Sequence, residues 1–380
     1  MEKSPVDAQP DYQNLSLSSP LGTPFERMMM QRCIQLARRA LGLTTPNPIV
    51  GAVVVRDGKI VGEGFHPGPG QPHAEVFALR EAGEQARGGT VYVNLEPCNH
   101  YGRTPPCSEA LIAAGVAKVV VGMIDPNPQV SGGGIKRLTE AGIEVVVGIE
   151  EADCRELNEA FIHRILHQRP LGILKYAMTL DGKIAAASGH SQWVTGKEAR
   201  AYVHQIRAAC DAVIVGGNTV RHDNPYLTSH NLSTHNPLRV VMTRTLNLPL
   251  EANLWQTSEA HTLVLTETGA NPYIQEQLLN MGVEVLELRS LTPRQVMTYL
   301  YERELSCVLW ECGGVLGARA IAEGAVQKVL AFIAPKIIGG REALSPVEDL
   351  GLVKMTDALN LERVSCRQLG SDYLLEGYLP

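Results

Sequence analysis

At 380 residues the chain is longer than one ordinary hydrophobic core sustains, so two domains are the starting expectation. With 44% hydrophobic and 19% charged residues it has the composition of a soluble globular protein. A formal net charge of -6 without a Lys/Arg block leaves no electrostatic footprint for a nucleic-acid backbone, and no apolar run is long enough to span a bilayer.

Residues 1–25 are polar, rich in Ser and Pro, and read as a disordered tail. Glu2, Asp7 and Asp11 argue against a transit peptide, and there is no apolar core for a secretory signal. The eight Cys are scattered, which predicts a reducing, cytoplasmic setting without a disulfide framework. A helix is expected over 25–40, then a break at Thr45-Pro46-Asn47-Pro48. Strands at 49–55 and 59–65 flank the turn signal Asp57-Gly58. Helices at 73–82, 107–114 and 134–141 alternate with strands at 90–95, 118–123 and 143–149, with Asp125-Pro126-Asn127-Pro128 as a turn. This alternation predicts a layered α/β domain over 26–149. Residues 150–169 are charged, then helical, and form a connector. A second α/β domain, 170–380, is expected from strands at 171–178, 212–215, 238–242, 261–265, 283–288, 307–310 and 328–333. Helices lie between many of them, notably 197–208, 272–281 and 317–323. No internal repeat relates the halves.

Chemistry concentrates in the first half. His73-Ala74-Glu75, followed by Pro97-Cys98 and Pro106-Cys107, has the residue types of a zinc-dependent base deaminase. A catalytic zinc takes three protein ligands and keeps one position open; His73, Cys98 and Cys107 supply three. Glu75, two residues from the ligand at a helix start, is the candidate general acid/base. Cys107 falls at a helix N-terminus, where the macrodipole favours thiolate. A structural zinc is the competing reading and would need a fourth ligand, for which His100 is available. Taken singly, a His-x-Glu is usually surface and two distant Cys are usually buried thiols. The ordered context, with a Pro before each ligand, favours the catalytic site.

The eight residues between the two Cys narrow the comparison. Thr45-Pro46-Asn47-Pro48-x-Val50-Gly51, His73-Ala74-Glu75 and Glu96-Pro97-Cys98-Asn99-His100-x-Gly102-Arg103-Thr104-Pro105-Pro106-Cys107 resemble the deaminase half of the bifunctional riboflavin-pathway RibD family. Asp125-Pro126-Asn127-Pro128 also fits. The resemblance implies a cytidine-deaminase-like α/β/α domain in which Asn47 and the loop carrying Asn99, His100 and Arg103 meet a phosphorylated pyrimidine. Amides suit base edges and Arg an anion, although Asn47 alone reads equally as a turn residue and Arg103 as a solvated charge.

In the second half, Glu311-Cys312-Gly313-Gly314 follows an apolar strand and precedes a helix near Leu316. Small residues there admit a phosphate to a helix N-terminus, but two glycines read equally as a tight turn, and this is not the G-x-G-x-x-G fingerprint. Lys175 to Lys183, Ser191-x-Trp193-x-Thr195-Gly196, and Gly216-x-Asn218-Thr219-Val220-x-x-Asp223-Asn224-Pro225-x-Leu227-Thr228 resemble the same family's reductase, a dihydrofolate-reductase-like α/β domain. The resemblance implies that Ala177, Trp193, Thr219, Asp223 and the turn Gly313, Gly314, Val315, Leu316 and Gly317 meet NADPH. It implies that Lys175, Ser191, Arg207, Leu227 and Glu311 face the substrate or its proton. Bland roles compete: Trp193 as core, Arg207 as a helix-surface charge, Asp223 as a turn residue. Arg244, just after a strand, is placed for the cofactor's 2′-phosphate or is a surface Arg. Where the family often carries Arg to bind the substrate phosphate, this chain has His230.

The expected protein is therefore a zinc- and NADPH-dependent deaminase and reductase acting on a small phosphorylated pyrimidine, without nucleic-acid or membrane partners. A homo-oligomer is open on this reading. Its competitors are a deaminase with an inactive reductase domain, and a base-editing or RNA-binding module, which the acidic charge disfavours.

Overall fold

The structure, a computed structural model, describes residues 21–101, 105–128, 130–233 and 235–380. Arg103 and residues 1–20, expected to be a loop charge near the substrate and part of a disordered tail, lie outside the described residues. Among the described residues, no helix is long and apolar enough to cross a membrane, and the strands form two sheets.

The first sheet has the order β2-β1-β3-β4-β5. Its strands are β1 (Gly51–Arg56), β2 (Lys59–Phe65), β3 (Thr90–Leu95), β4 (Lys118–Met123) and β5 (Glu144–Val147). The β1–β2 hairpin turns at Asp57 and Gly58, both with positive φ (49° and 72°), which is what a tight right-twisted hairpin needs. The β3–β4 and β4–β5 pairs are parallel, so their connections cross over as helices. Helix α1 (Pro24–Ala37) starts one residue before the expected 25, because Thr23 and Glu26 close a reciprocal capping box around Pro24. Helix α2 (Ala74–Ala82) follows β2, α3 (Cys107–Ala114) follows β3, and α4 (Gly133–Glu140) follows β4. Helix α3 stops at Gly115, which takes the left-handed conformation (φ 68°). Valines of β1, β3 and β4 fill the core between the helical layers, with Met30, Ile34 and Leu111 packed on them.

Helices α5 (Glu151–Leu157) and α6 (Glu159–His167) occupy the expected connector. Cys154 of α5 belongs to the first core, whereas Glu159 of α6 pairs with Lys328 in the second sheet at 2.9 Å.

The second sheet runs β10-β9-β8-β7-β11-β6-β12-β14-β13. In chain order its elements begin with β6 (Leu171–Thr179), α7 (Lys197–Ala209), β7 (Ala212–Gly216), α8 (Gly217–Asp223), β8 (Leu238–Met242) and β9 (Thr262–Glu267). They continue with α9 (Pro272–Asn280), β10 (Glu284–Leu288), α10 (Pro293–Glu302), β11 (Cys307–Trp310), α11 (Gly314–Ala322) and β12 (Lys328–Ala334), and close with β13 (Glu362–Leu369) and β14 (Asp372–Tyr378). From β10 to β12 every pairing is parallel; β14 and β13 add antiparallel edges. The sequence reading omits β13 and β14: β13 is exposed along most of its length, so it carries no apolar alternation. Helix α8 opens with Gly217-Asn218, which reads as a turn. Helix α11 begins at Gly314 and not at 317, because glycines occupy its first turn.

One packing constraint bears directly on the deaminase motif. A Cβ at Gly64 of β2 would lie 2.4 Å from Ala74 O and 2.7 Å from Ala78 N, so glycine lets α2 sit against the sheet. The expected outcome of Gly64→Ala is a loss of about 1–3 kcal/mol, the usual cost of overpacking, read as a lower denaturant midpoint at unchanged slope.

Candidate active sites

Three chain segments meet at the first site. His73 is the N-cap of α2, Cys98 lies just beyond β3, and Cys107 is the first residue of α3. Their donor atoms all lie within 4.8 Å of one another. His73 Nδ1 is 3.2 Å from Cys107 Sγ and 3.5 Å from Cys98 Sγ. A nitrogen and a sulfur bound tetrahedrally to one zinc stand about 3.6 Å apart, given bond lengths of about 2.1 and 2.3 Å. The backbone N–H of Cys107 donates to Cys98 Sγ at 3.3 Å, aiming the start of α3 at that sulfur. Hydrogen bonding from the Cys107 thiol, helped by His73, draws Cys98 down to about 4; the same bond and burial push Cys107 up. The His73 imidazole is raised by its bond to Cys98, against burial. One imidazole nitrogen and two sulfurs at this spacing fit zinc. His100 is exposed and outside the cluster, so among the described residues the fourth ligand of a structural zinc is missing.

Glu75 stands beside the cluster in the first turn of α2. It is 3% exposed, and its Oε2 has no hydrogen-bond partner among the described residues. Burial, and next the Cys98 thiolate, push its carboxyl up to about 7. A carboxyl poised there exchanges protons in both directions near neutral pH. Asn47 Nδ2 is 3.0 Å from His66 Nε2, while His66 Nδ1 is 3.1 Å from Pro72 O. The carbonyl can only accept, so His66 carries its proton on Nδ1 and accepts from Asn47 on Nε2. The His66 ring lies edge-on to His73, centroids 5.3 Å apart. Asn99 is exposed, and its Oδ1 accepts from Ser108 Oγ at 2.8 Å.

His66 and Glu96 were missed as site residues. Glu96 is buried, and its carboxylate accepts the backbone N–H groups of Asp125, Gly132, Gly134 and Ile135, at 2.9 to 3.2 Å. It therefore holds the 125–135 segment beside Cys98. A Glu followed by Pro-Cys carries no such signal locally, since all four donors are distant in sequence.

The second cluster gathers around β11, which lies between β7 and β6 in the sheet: Lys175 comes from the middle of β6, Arg207 from the last turn of α7, and Glu311 follows β11. Glu311, just after β11, takes Arg207 Nε and Nη2 at 2.5 and 3.0 Å and has Lys175 Nζ at 3.6 Å. Burial alone would raise Glu311, but Arg207 and Lys175 outweigh it and hold the carboxyl at about 2. Lys175 is lowered by its own burial. Arg207 is thus a half-buried, paired cation and not a helix-surface charge. His230, exposed, stacks on His204 at 3.9 Å between centroids; burial lowers both, His204 to about 4.

Other predicted residues separate into those the fold exposes and those it encloses. Trp193 is 63% exposed, so it is not core; Arg200 lies 4.5 Å over its ring. Ser191 Oγ donates to Asp223 Oδ1 at 2.9 Å. Thr219 is half-buried in α8, and Ala177 is half-buried in β6. Arg244 is exposed, with no side-chain partner among the described residues. Leu227 is 2% exposed and packs in the second core. Gly313, Gly314, Val315, Leu316 and Gly317 form a helix start and not a free turn, with Gly313 as N-cap of α11. A Cβ at Gly314 would lie 2.5 Å from Ser345 O, whereas one at Gly313 would meet nothing within 4 Å. One side of the helix start is therefore closed by the chain, and the other is open.

Two outcomes are expected. Cys107→Ser lowers the zinc content measured by mass spectrometry of the purified protein, and His100→Ala leaves it unchanged. For Glu311, a folded pKa of about 2 lies below the ordinary 4.5, so its pairing stabilises fully above pH 4.5 and is lost as pH falls toward 2. Glu311→Gln should flatten the dependence of melting temperature on pH in that window.

Residues 24–123 match the family of the cytidine and deoxycytidylate deaminase zinc-binding region, and residues 170–375 match the RibD C-terminal domain. The riboflavin biosynthesis protein RibD of Synechocystis sp. is 61% identical over 350 residues, covering 92% of this chain and 95% of that protein. The solved structure of Acinetobacter baumannii RibD is 40% identical with a TM-score of 0.83, covering 94% of this chain and 99% of that one. A diaminohydroxyphosphoribosylaminopyrimidine deaminase/5-amino-6-(5-phosphoribosylamino)uracil reductase from Thermotoga maritima has the same TM-score and coverages at 37% identity. With a His/Cys/Cys deaminase cluster in one half and a reductase domain in the other, the chain belongs to the RibD family of bifunctional riboflavin biosynthesis enzymes.

Proposed function

We propose that the first half hydrolytically removes the 2-amino group of 2,5-diamino-6-(5-phosphoribosylamino)pyrimidin-4(3H)-one, and that the second reduces the ribosyl group of the product to ribityl with NADPH. The observation that carries the deaminase assignment is Glu75: a buried carboxyl with an unpartnered oxygen beside three converging zinc donors. His73, Cys98 and Cys107 would hold a zinc ion, which would supply Lewis-acid activation of water near neutral pH. Glu75 Oε2 accepts a proton as water adds and returns it to the departing amine, so that ammonia leaves. Asn47, held by His66, reads the pyrimidine edge, and the loop carrying Asn99, His100 and Arg103 covers the phosphoribosyl side.

In the second half NADPH would supply the hydride that reduces the ribosyl group. Residues 313–317, Thr219, Asp223, Trp193 and Ala177 would line the cofactor, with Arg244 toward its 2′-phosphate, and the two activities would divide between domains at about 26–149 and 170–380. Glu311, held ionised by Arg207 and Lys175, has no proton to give; Lys175, buried and lowered, is the donor. Because Arg207 is committed to Glu311 and to Thr228 O (3.4 Å), the substrate phosphate falls to exposed His230 backed by His204, with Ser191 at the edge of the pocket.

A two-step assay tests the whole. Glu75→Gln should lower ammonia release by about 10²–10⁴-fold with zinc still bound. NADPH oxidation on deaminated substrate should continue in that variant. Retained ammonia release would remove Glu75 from its role, and absent NADPH oxidation in the parent protein would leave a deaminase alone.

A further inference from the structure

The segment carrying Asn47 is irregular and is held at both ends. On its C-terminal side Asn158 and Asn94 bond the backbone of Ile49, and Asn94 also accepts from Gly51 N–H at 2.8 Å. On its N-terminal side the anchor belongs to the other sheet. Thr45 Oγ1 donates to Asp211 Oδ1 at 2.6 Å. Asp211 immediately precedes β7 and is 7% exposed. Its other oxygen accepts the backbone N–H groups of Ser306 and Cys307 at 2.7 and 2.8 Å. Its own backbone N–H and C=O pair with Cys307 and Leu238, both at 2.9 Å. The acceptor offered to Thr45 is thus fixed by the second sheet on every side. The chain just before Thr45 lies directly on the end of α7. A Cβ at Gly42 (φ 75°) would stand 2.1 Å from Ala208 O.

From Thr45 the path to the zinc donors is short. Asn47 N–H closes a turn on Thr44 O at 2.7 Å. Asn47 then reaches His66, and His66 abuts His73. We infer that Asp211 and Thr45 are positioning residues through which the reductase half sets the deaminase site, by fixing the segment that aims Asn47. The inference rests on the reading that Asn47 contacts the pyrimidine. Without the Thr45 bond the segment pivots about Ile49, and Asn47 loses its aim while the zinc donors, which lie on other segments, keep theirs. The effect therefore falls on substrate binding and not on metal loading.

Thr45 and Asp211 both line a cleft of about 370 Å³ between the halves, where water can replace the lost hydroxyl, so substitution there need not unfold the chain. The test uses the full-length, zinc-loaded protein with Thr45→Val, Thr45→Ser and Asn47→Ala, assaying both activities, zinc content and melting temperature. Thr45→Val should raise the deaminase KM roughly tenfold, the scale of one hydrogen bond to a charged group. Its kcat should change less, and zinc content and both reductase constants should stay at parent values. Thr45→Ser, which keeps the hydroxyl, should restore the deaminase KM. A parent-like KM in Thr45→Val, when Asn47→Ala raises it, overturns the inference alone. So does an equal loss of both activities with a lowered melting temperature, which would mark a merely structural contact. An unchanged KM in Asn47→Ala overturns the Asn47 reading and this inference with it.

Discussion

A carboxylate taken out of water must be paired, hydrogen-bonded or protonated, and this constraint organises both halves. Four carboxyl groups largely shielded from water, Asp372 aside, meet it in different ways. Glu96 is saturated by backbone N–H groups and fixes a loop. Asp211 is held by two backbone N–H groups and a hydroxyl. Glu311 is charge-paired with Arg207 and Lys175. Glu75 alone of the four keeps an oxygen without a partner, and its carboxyl rises to about 7. The three satisfied groups build and join the scaffold or order a charged cluster. The unsatisfied one is left free to move a proton, which is why a group costly to bury belongs at a reacting centre.

The sequence made the first site legible because its chemistry is local. His73 and Glu75 lie in one helical turn, each ligand follows a proline, and helix starts are strongly marked by such residues. The sheet strands were legible for a similar reason: β1 and β4 each carry a run of three valines, β-branched and apolar. His66 was not legible, because its role depends on meeting Asn47 and Pro72 across a hairpin. Neither was Glu96, whose partners lie some thirty residues on. In the second half the same limit applies more widely. Arg207, Lys175 and Glu311 come from α7, β6 and the end of β11, and only the parallel sheet brings them together. The exposed β13 lacks the alternation that a one-sided strand displays, so nothing in its composition announces it.

The segment between the halves bears on both. Charged and helical, 150–169 has the composition of a linker, yet its side chains are spent on contacts. Asn158 is 1% exposed and bonds the Ile49 backbone on the deaminase side. The next residue, Glu159, bonds Lys328 and Tyr378 in the second sheet. Arg164 donates to the Tyr301 and Leu305 carbonyls at 3.0 and 2.9 Å. A flexible tether leaves its polar groups to water; this one exchanges them for protein partners on either side.

One feature of the first half therefore answers to residues outside its sheet, and another does not. The Asn47 segment is pinned from the connector by Asn158 and from the second sheet by Asp211, while the zinc donors are positioned entirely by α2, α3 and β3. Metal binding and substrate orientation are thus separable in this chain. A deaminase fold needs only its own sheet to gather His73, Cys98 and Cys107, but the segment carrying Asn47 is also held by Asp211, which belongs to the second sheet. On that argument, fusion contributes to the first reaction through geometry, independently of any passage of intermediate from one site to the other.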